Sequence, residues 1–171
     1  MWDMIERFRT GRIDSVQTLS HVELGRYGES LAVKFLRLHG YRIVMTNFVT
    51  PIGYSRKARQ ITGEIDLIAY DESSRPFHLA FIEVKTRTSA EIAAPESAVD
   101  RRKQRQIVRA ARIYRRWISV EDEPYRYDVV SILLAPRQRA TITLMRNYFT
   151  EQRFERSRWF SVENQFLPRT R

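Results

Sequence analysis

Residues Gly63 to Arg87 read GEIDLIAYDESSRPFHLAFIEVKTR, and this stretch decides the fold. Two aliphatic runs, GEIDLIAY and HLAFIEVKT, flank a polar segment containing Pro76, so they read as two strands joined by a turn. Period 2 puts Ile65, Leu67 and Ala69 on one face of the first strand, with Glu64, Asp66, Ile68 and Tyr70 on the other. In the second strand Ala80, Ile82 and Val84 oppose Phe81, Glu83 and Lys85. With the aliphatic faces packed into the core, Asp66, Glu83 and Lys85 come to the same side of the sheet.

Two carboxylates facing the same way on adjacent strands form an oxygen site for a hard divalent cation, with water completing the octahedron. A lysine two residues after the second carboxylate reaches the same pocket, where it orients or helps to deprotonate a water and stabilises a phosphorane-like transition state. That is equipment for phosphodiester hydrolysis. The pattern D-x(16)-E-x-K is short and recurs by chance, so its surroundings carry much of the weight.

Upstream, Ser20-His-Val-Glu23 matches a capping box, and Leu19 with Leu24 matches a hydrophobic staple. Leu24, Gly28, Leu31, Ala32, Phe35 and Leu38 then recur at helical spacing, predicting an amphipathic helix from His21 to His39. Glu29 lies at the edge of that stripe, either as a boundary glutamate or as a supporting acid. Tyr41 to Met45 reads as a strand. Thr46 to Thr62 reads as a basic loop or long hairpin connection whose Arg56, Lys57 and Arg59 are placed to hold a phosphate backbone.

Downstream, a loop with Pro95 leads into a helix from about Ser97 to Ile118, with an apolar line of Val99, Ile107, Ala110, Ala111, Tyr114 and Trp117. Arg101, Arg102, Arg105, Arg109, Arg112 and Arg116 make its other side almost purely arginine. Like charges at this spacing weaken an isolated helix, and a bound polyanion would compensate; an ordinary solvated face is the plainer alternative. Lys103 falls within the apolar line, so either its stem snorkels or its ammonium points toward the acidic site. Tyr125 to Leu134 and Ala140 to Met145 read as two more strands, with Asp128 in a structural hydrogen-bonding role.

The whole chain of 171 residues carries 30 Lys plus Arg against 20 Asp plus Glu, a net charge of +10. Such an excess favours a polyanionic partner, nucleic acid before an anionic membrane surface. With no cysteine and only three histidines, disulfides and thiolate zinc sites are excluded, and any metal must be held mainly by oxygen, which suits magnesium or manganese. No apolar run is long enough for a membrane span and the N-terminus lacks a secretory core, which places the protein in the cytoplasm.

The ordered motifs GESLAVKFL (Gly28–Leu36), Gly40-Tyr41, Asn47, GEIDLIA, FIEVKTR, Ala98–Gln104 and YDVV (Tyr127–Val130) resemble the YraN family over about Glu23 to Phe149. Its members are uncharacterised endonuclease-like bacterial proteins of the PD-(D/E)XK nuclease superfamily, similar in core to archaeal Holliday-junction resolvases. The resemblance implies metal-binding acids at Asp66 and Glu83, a catalytic lysine at Lys85, and a helix glutamate at Glu29 completing the metal site. Glu64 belongs to the same motif, and Lys103 and Gln104 match its helix motif.

The resulting expectation is an α/β, restriction-endonuclease-like core with a mixed sheet of four or five strands flanked by helices. Residues 1–18 read as an N-terminal arm with a short helix, 19–149 as the endonuclease-like domain and 150–171 as a C-terminal extension that docks as a helix. The expected function is a Mg²⁺- or Mn²⁺-dependent nuclease on DNA rather than RNA, branched or damaged DNA included, with Arg102, Lys103, Arg105, Arg109 and Arg116 joining the loop cations on the substrate. The alternatives are a non-catalytic nucleic-acid-binding scaffold and, more weakly, docking on an acidic protein. A homodimer remains open, and no membrane association is expected.

Overall fold

The computed structural model describes residues 5–12, 20–73, 75–88, 99–135 and 138–154. They form an α/β structure with a mixed sheet flanked by two helices. The elements in chain order are β1 (Ile5–Arg12), α1 (His21–Leu38), β2 (Tyr41–Tyr54), β3 (Gln60–Asp71), β4 (His78–Thr88), α2 (Arg101–Trp117), β5 (Tyr125–Leu134) and β6 (Arg139–Phe149), followed by a 3₁₀ turn at Glu151–Arg153. The sheet order is β1-β6-β5-β4-β3-β2. Among the described strands only β4 and β5 pair in parallel, with α2 in the connection between them, as a parallel crossover requires.

Five of these strands are those the sequence predicts; β1 is the sixth. The arm was expected to contain a short helix, yet Ile5–Arg12 pairs antiparallel with β6. IERFRTGR has two large apolar residues, Ile5 and Phe8, and a glycine, too little for a helical stripe, and the open edge of β6 supplies backbone partners that a free arm lacks. The remainder of the arm and the tail beyond Phe154 lie outside the described residues. So do Leu19 of the expected staple and most of the loop around Pro95.

Helix α1 begins as predicted, with Ser20 and Glu23 forming both halves of the capping box. Its stripe is rotated at the C-terminal end, where Leu36 is buried and Leu38 is 77% exposed. Helix α2 starts at Arg101 rather than Ser97, because Asp100 takes the N-cap and accepts from the Lys103 amide at 2.8 Å. Trp117, expected in the apolar line, is 67% exposed and stacks on Phe48, while Val108 is buried.

The expected loop from Thr46 is largely strand. β2 continues through Pro51 to Tyr54, tolerating proline because β2 is an edge strand with a register shift there. Only residues 55–59 form the connection, closed by the Ser55 amide donating to Arg59 O at 2.7 Å.

The sheet separates two cores. One lies under α2 and includes Ile65, Ile68, Phe81, Ile107, Ala110 and Tyr114. The other lies under α1 and includes Phe35, Leu67, Ala80, Ile82, Val130 and Leu144. Each fully buried large aliphatic or aromatic side chain contributes about 1.5–3 kcal/mol of transfer free energy. Two glycines set the helices close to the sheet. A Cβ on Gly28 would fall 1.7 Å from Thr86 Oγ1, and one on Gly63 would fall 2.8 Å from Ile52 and 2.9 Å from Gln106 O. Both helices are thereby anchored beside the stretch that carries Asp66, Glu83 and Lys85.

Candidate active site

The β3–β4 ladder runs from Asp71↔His78 to Leu67↔Ile82 and stops there. The next residues on the two strands are Asp66 and Glu83. In place of a further backbone pair, Asp66 Oδ2 accepts from the Val84 amide at 2.7 Å. The alternation expected for β3 also breaks here. Leu67 and Ala69 face α1, but Ile65 joins Ile68 in the core under α2, so the strand swivels at Asp66. Asn47, which falls between the Thr46↔Leu67 and Phe48↔Ile65 pairs, has φ 54°, a left-handed conformation that asparagine tolerates better than most residues. Two adjoining strands are thus irregular at the level of one carboxylate.

Glu83 follows Phe81 on the α2 face and is 1% exposed. Lys85, two residues on, places Nζ 2.7 Å from Glu83 Oε1. Lys103 reaches in from α2 with Nζ 3.1 Å from Glu83 Oε2, an ion pair without hydrogen-bond geometry. Of the two sequence readings of Lys103, the inward one holds. The helical stripe is apolar because α2 covers the sheet, and Lys103 lies where the covered surface is a carboxylate.

The electrostatics follow from burial. Desolvation and then the Glu83 charge push the Asp66 carboxyl up to about 7, against the Val84 amide and the two lysines, which pull it down. For Lys103, burial opposes the charged form, but Glu83, Asp66 and Glu64 outweigh it and hold the ammonium above its usual range. The cluster is a crowded pair of acids that draws cationic charge.

Asp66, Glu83, Lys85 and Lys103 are therefore brought together, whereas Glu29 is held at a neighbouring groove by Asn47. Its Oε2 accepts from Asn47 Nδ2 at 3.3 Å, and it lines an open groove of about 480 Å³ with His21, Arg26, Asn47 and Glu64. Among the described residues, no three His, Cys, Asp or Glu side chains are disposed to share a metal ion. Two carboxylates nonetheless fit magnesium, which commonly keeps several waters and takes further oxygens from a phosphate. Asp66 and Glu83 would hold such an ion.

The predicted phosphate-facing cations divide. Arg56, Lys57 and Arg59 are exposed on the β2–β3 tip, and Arg102, Arg105 and Arg116 are exposed on α2. Arg109 is half-buried, and Lys103 is committed to Glu83. Arg112 leaves the arginine face altogether: it donates from Nε to Glu151 Oε2 at 2.8 Å, next to the Tyr127 hydroxyl on Oε1. Gln104, from the helix motif, is buried and donates to Val99 O at 2.8 Å, so it fastens the approach to α2.

A second ionic cluster escaped the sequence reading except for Asp128. Arg126 Nε donates to Asp128 Oδ1 and Oδ2 at 2.9 and 3.0 Å, and its Nη2 donates to the Tyr41 hydroxyl at 2.7 Å and to Asp71 Oδ2. Arg146 adds a 3.0 Å bond to Tyr41. The alternating Arg126 and Asp128 of one strand were a local signal; Asp71 and Tyr41 had none.

The profile of a family described as uncharacterised protein family UPF0102 matches residues 28–132. The chain belongs to UPF0102, the YraN family. A UPF0102 protein of Koribacter versatilis is 42% identical over 129 residues, covering 75% of this chain and 80% of the relative. Another, of Caldicellulosiruptor bescii, is 36% identical over 129 residues, covering 74% of this chain and 97% of the relative. The UPF0102 match runs from α1 into β5 and contains Glu29, Asp66, Glu83, Lys85 and Lys103, leaving β6 and β1 outside it.

Proposed function

We propose that this UPF0102 protein is a divalent-cation-dependent nuclease that hydrolyses phosphodiester bonds in DNA. The observation that carries the reading is the buried Asp66–Glu83 pair at the end of the β3–β4 ladder, with Lys85 Nζ 2.7 Å from Glu83. A Mg²⁺ or Mn²⁺ ion held by the two acids would act as a Lewis acid toward the phosphate and the attacking water. The water oxygen bonds to phosphorus, the bond to the leaving sugar oxygen breaks, and the water proton passes to solvent as that oxygen is protonated. Lys85 orients the water and offsets charge on the equatorial phosphate oxygens. Glu29, held by Asn47, supports the site from the groove. The tip cations Arg56, Lys57 and Arg59, with Arg102, Arg105 and Arg116 of α2, hold the strand, branched or damaged DNA included.

A second reading has one specific observation in its favour. Both oxygens of Glu83 already face an ammonium group, so the fold is charge-balanced without metal, as a non-catalytic nucleic-acid-binding scaffold would require. Incubation with supercoiled, branched and single-stranded DNA in Mg²⁺ or Mn²⁺ separates the two. The nuclease reading expects cleavage that disappears in Asp66→Ala and Lys85→Ala; cleavage unchanged in both variants, or salt-sensitive binding with none, overturns it.

A further inference from the structure

Lys103 has a tie to the site that ordinary substrate binding does not explain. Its backbone is fixed, because its amide is bound by the Asp100 cap at 2.8 Å. Its side chain is 24% exposed and ends 3.1 Å from the oxygen of Glu83 that Lys85 does not contact. That oxygen, Oε2, is sealed from solvent and makes no directional hydrogen bond. A buried carboxylate oxygen compensated by charge alone is costly to leave bare and cheap to hand over to a better cation. Lys103 also sits on a flexible four-carbon stem, next to the exposed Arg102 and in the same helical turn as Arg105.

We propose that Lys103 is a built-in counter-ion, holding Glu83 Oε2 while the site lacks a cation and yielding that oxygen when a divalent ion enters. The released ammonium then reaches a phosphate oxygen of the substrate on the α2 side. The proposal rests on the reading of Asp66 and Glu83 as a cation site, and adds that the cation competes with a residue of the protein itself. It makes Lys103 a positioning residue in the cation-free state and a substrate contact in the loaded one.

Calorimetric titration with Mn²⁺ and thermal unfolding in chelator test this in Lys103→Met and Lys103→Arg. Removing the competitor in Lys103→Met raises Mn²⁺ affinity about fivefold, while the cation-free protein melts at lower temperature because Glu83 has lost a partner. Adding Glu83→Gln to Lys103→Met restores the melting temperature. Lys103→Arg, whose planar group grips the carboxylate more firmly, binds Mn²⁺ more weakly than the wild type. The expected order is Met above wild type above Arg, whereas a merely structural lysine would weaken binding in both variants. Should Lys103→Met not fold, Lys103→Arg decides alone, and unchanged or tighter binding overturns the proposal. Wild-type binding with no gain in Lys103→Met overturns the counter-ion alone. A wild type that binds no Mn²⁺ removes the cation site and the counter-ion with it.

Discussion

Glu83 and Asp128 are carboxylates on neighbouring parallel strands, one residue apart in register, buried on opposite faces of the sheet. They are neutralised by different means. Asp128, 0% exposed, is gripped at both oxygens by the planar guanidinium of Arg126, and the Asn147 amide adds a bond at 2.9 Å. Glu83 has two lysines on flexible stems, one without hydrogen-bond geometry, and a second acid, Asp66, crowding it. The first arrangement is directional and closed; the second is balanced in charge and open to exchange. Burial of charge alone does not mark a functional site. The proposed site differs from the Asp128 cluster in being compensated by ammonium groups on flexible stems.

Each cluster can be perturbed by a single substitution. The largest effect is expected on the closed side, where Arg126→Met strands Asp71 and Asp128 without their shared donor. Chemical denaturation should show a loss of about 3–5 kcal/mol, and a loss under about 1 kcal/mol would mean that the network is not structural. On the open side, Lys85→Met should lower cleavage by about 10²–10³-fold, with a loss of stability well below that of Arg126→Met, measured on the same preparation. A parallel collapse of stability would make Lys85 a structural residue like Arg126.

The two sides should also respond to pH with opposite signs. Asp66 is raised to about 7, so in the cation-free protein its ionisation disfavours the fold. Relative to Asp66→Asn, the wild type should be least stable above about pH 7 and catch up as pH falls toward about 4. For Asp71, burial alone would raise the carboxyl, but the Ser73 and Arg126 hydrogen bonds outweigh it and hold it below the ordinary range. Its contribution is full above the unfolded value and is lost as pH falls below about 4, so the advantage over Asp71→Asn should vanish in acid. Melting curves of the wild type and both variants across this range check both signs.

The smallest effect sharpens how Lys103 is aimed. Asp100→Ala removes the cap beneath it and should cost about 1 kcal/mol. Asp100 is held below its usual value chiefly by the Lys103 amide, so this difference is present at neutral pH and fades on acidification. Thermal melts at neutral pH and below about pH 3 measure it.

Much of the candidate site was legible in the sequence. Asp66, Glu83 and Lys85 were found together because strand periodicity is local, and the anomaly of Lys103 in an apolar stripe was legible for the same reason. The break in β3 at Asp66 was not, since Ile65 reads as an ordinary alternating residue. Its place in the core under α2 is set by packing between residues far apart in the chain. Glu29 was correctly placed on a helix, but its bond to Asn47 depends on how closely Gly28 lets α1 approach Thr86.

The sequence by itself determined both described helices, five of the six described strands, the capping box at Ser20 and the carboxylate–lysine pattern of the hairpin, because these are set by neighbours within a few residues. Tertiary structure decided what depends on residues far apart in the chain. It recruited Ile5–Arg12 to the edge of β6, drew Arg112 away to Glu151, joined Asp71 to Arg126, and directed Lys103 onto Glu83. Each of these satisfies a backbone edge or a charge that is bare only once the chain has folded around it.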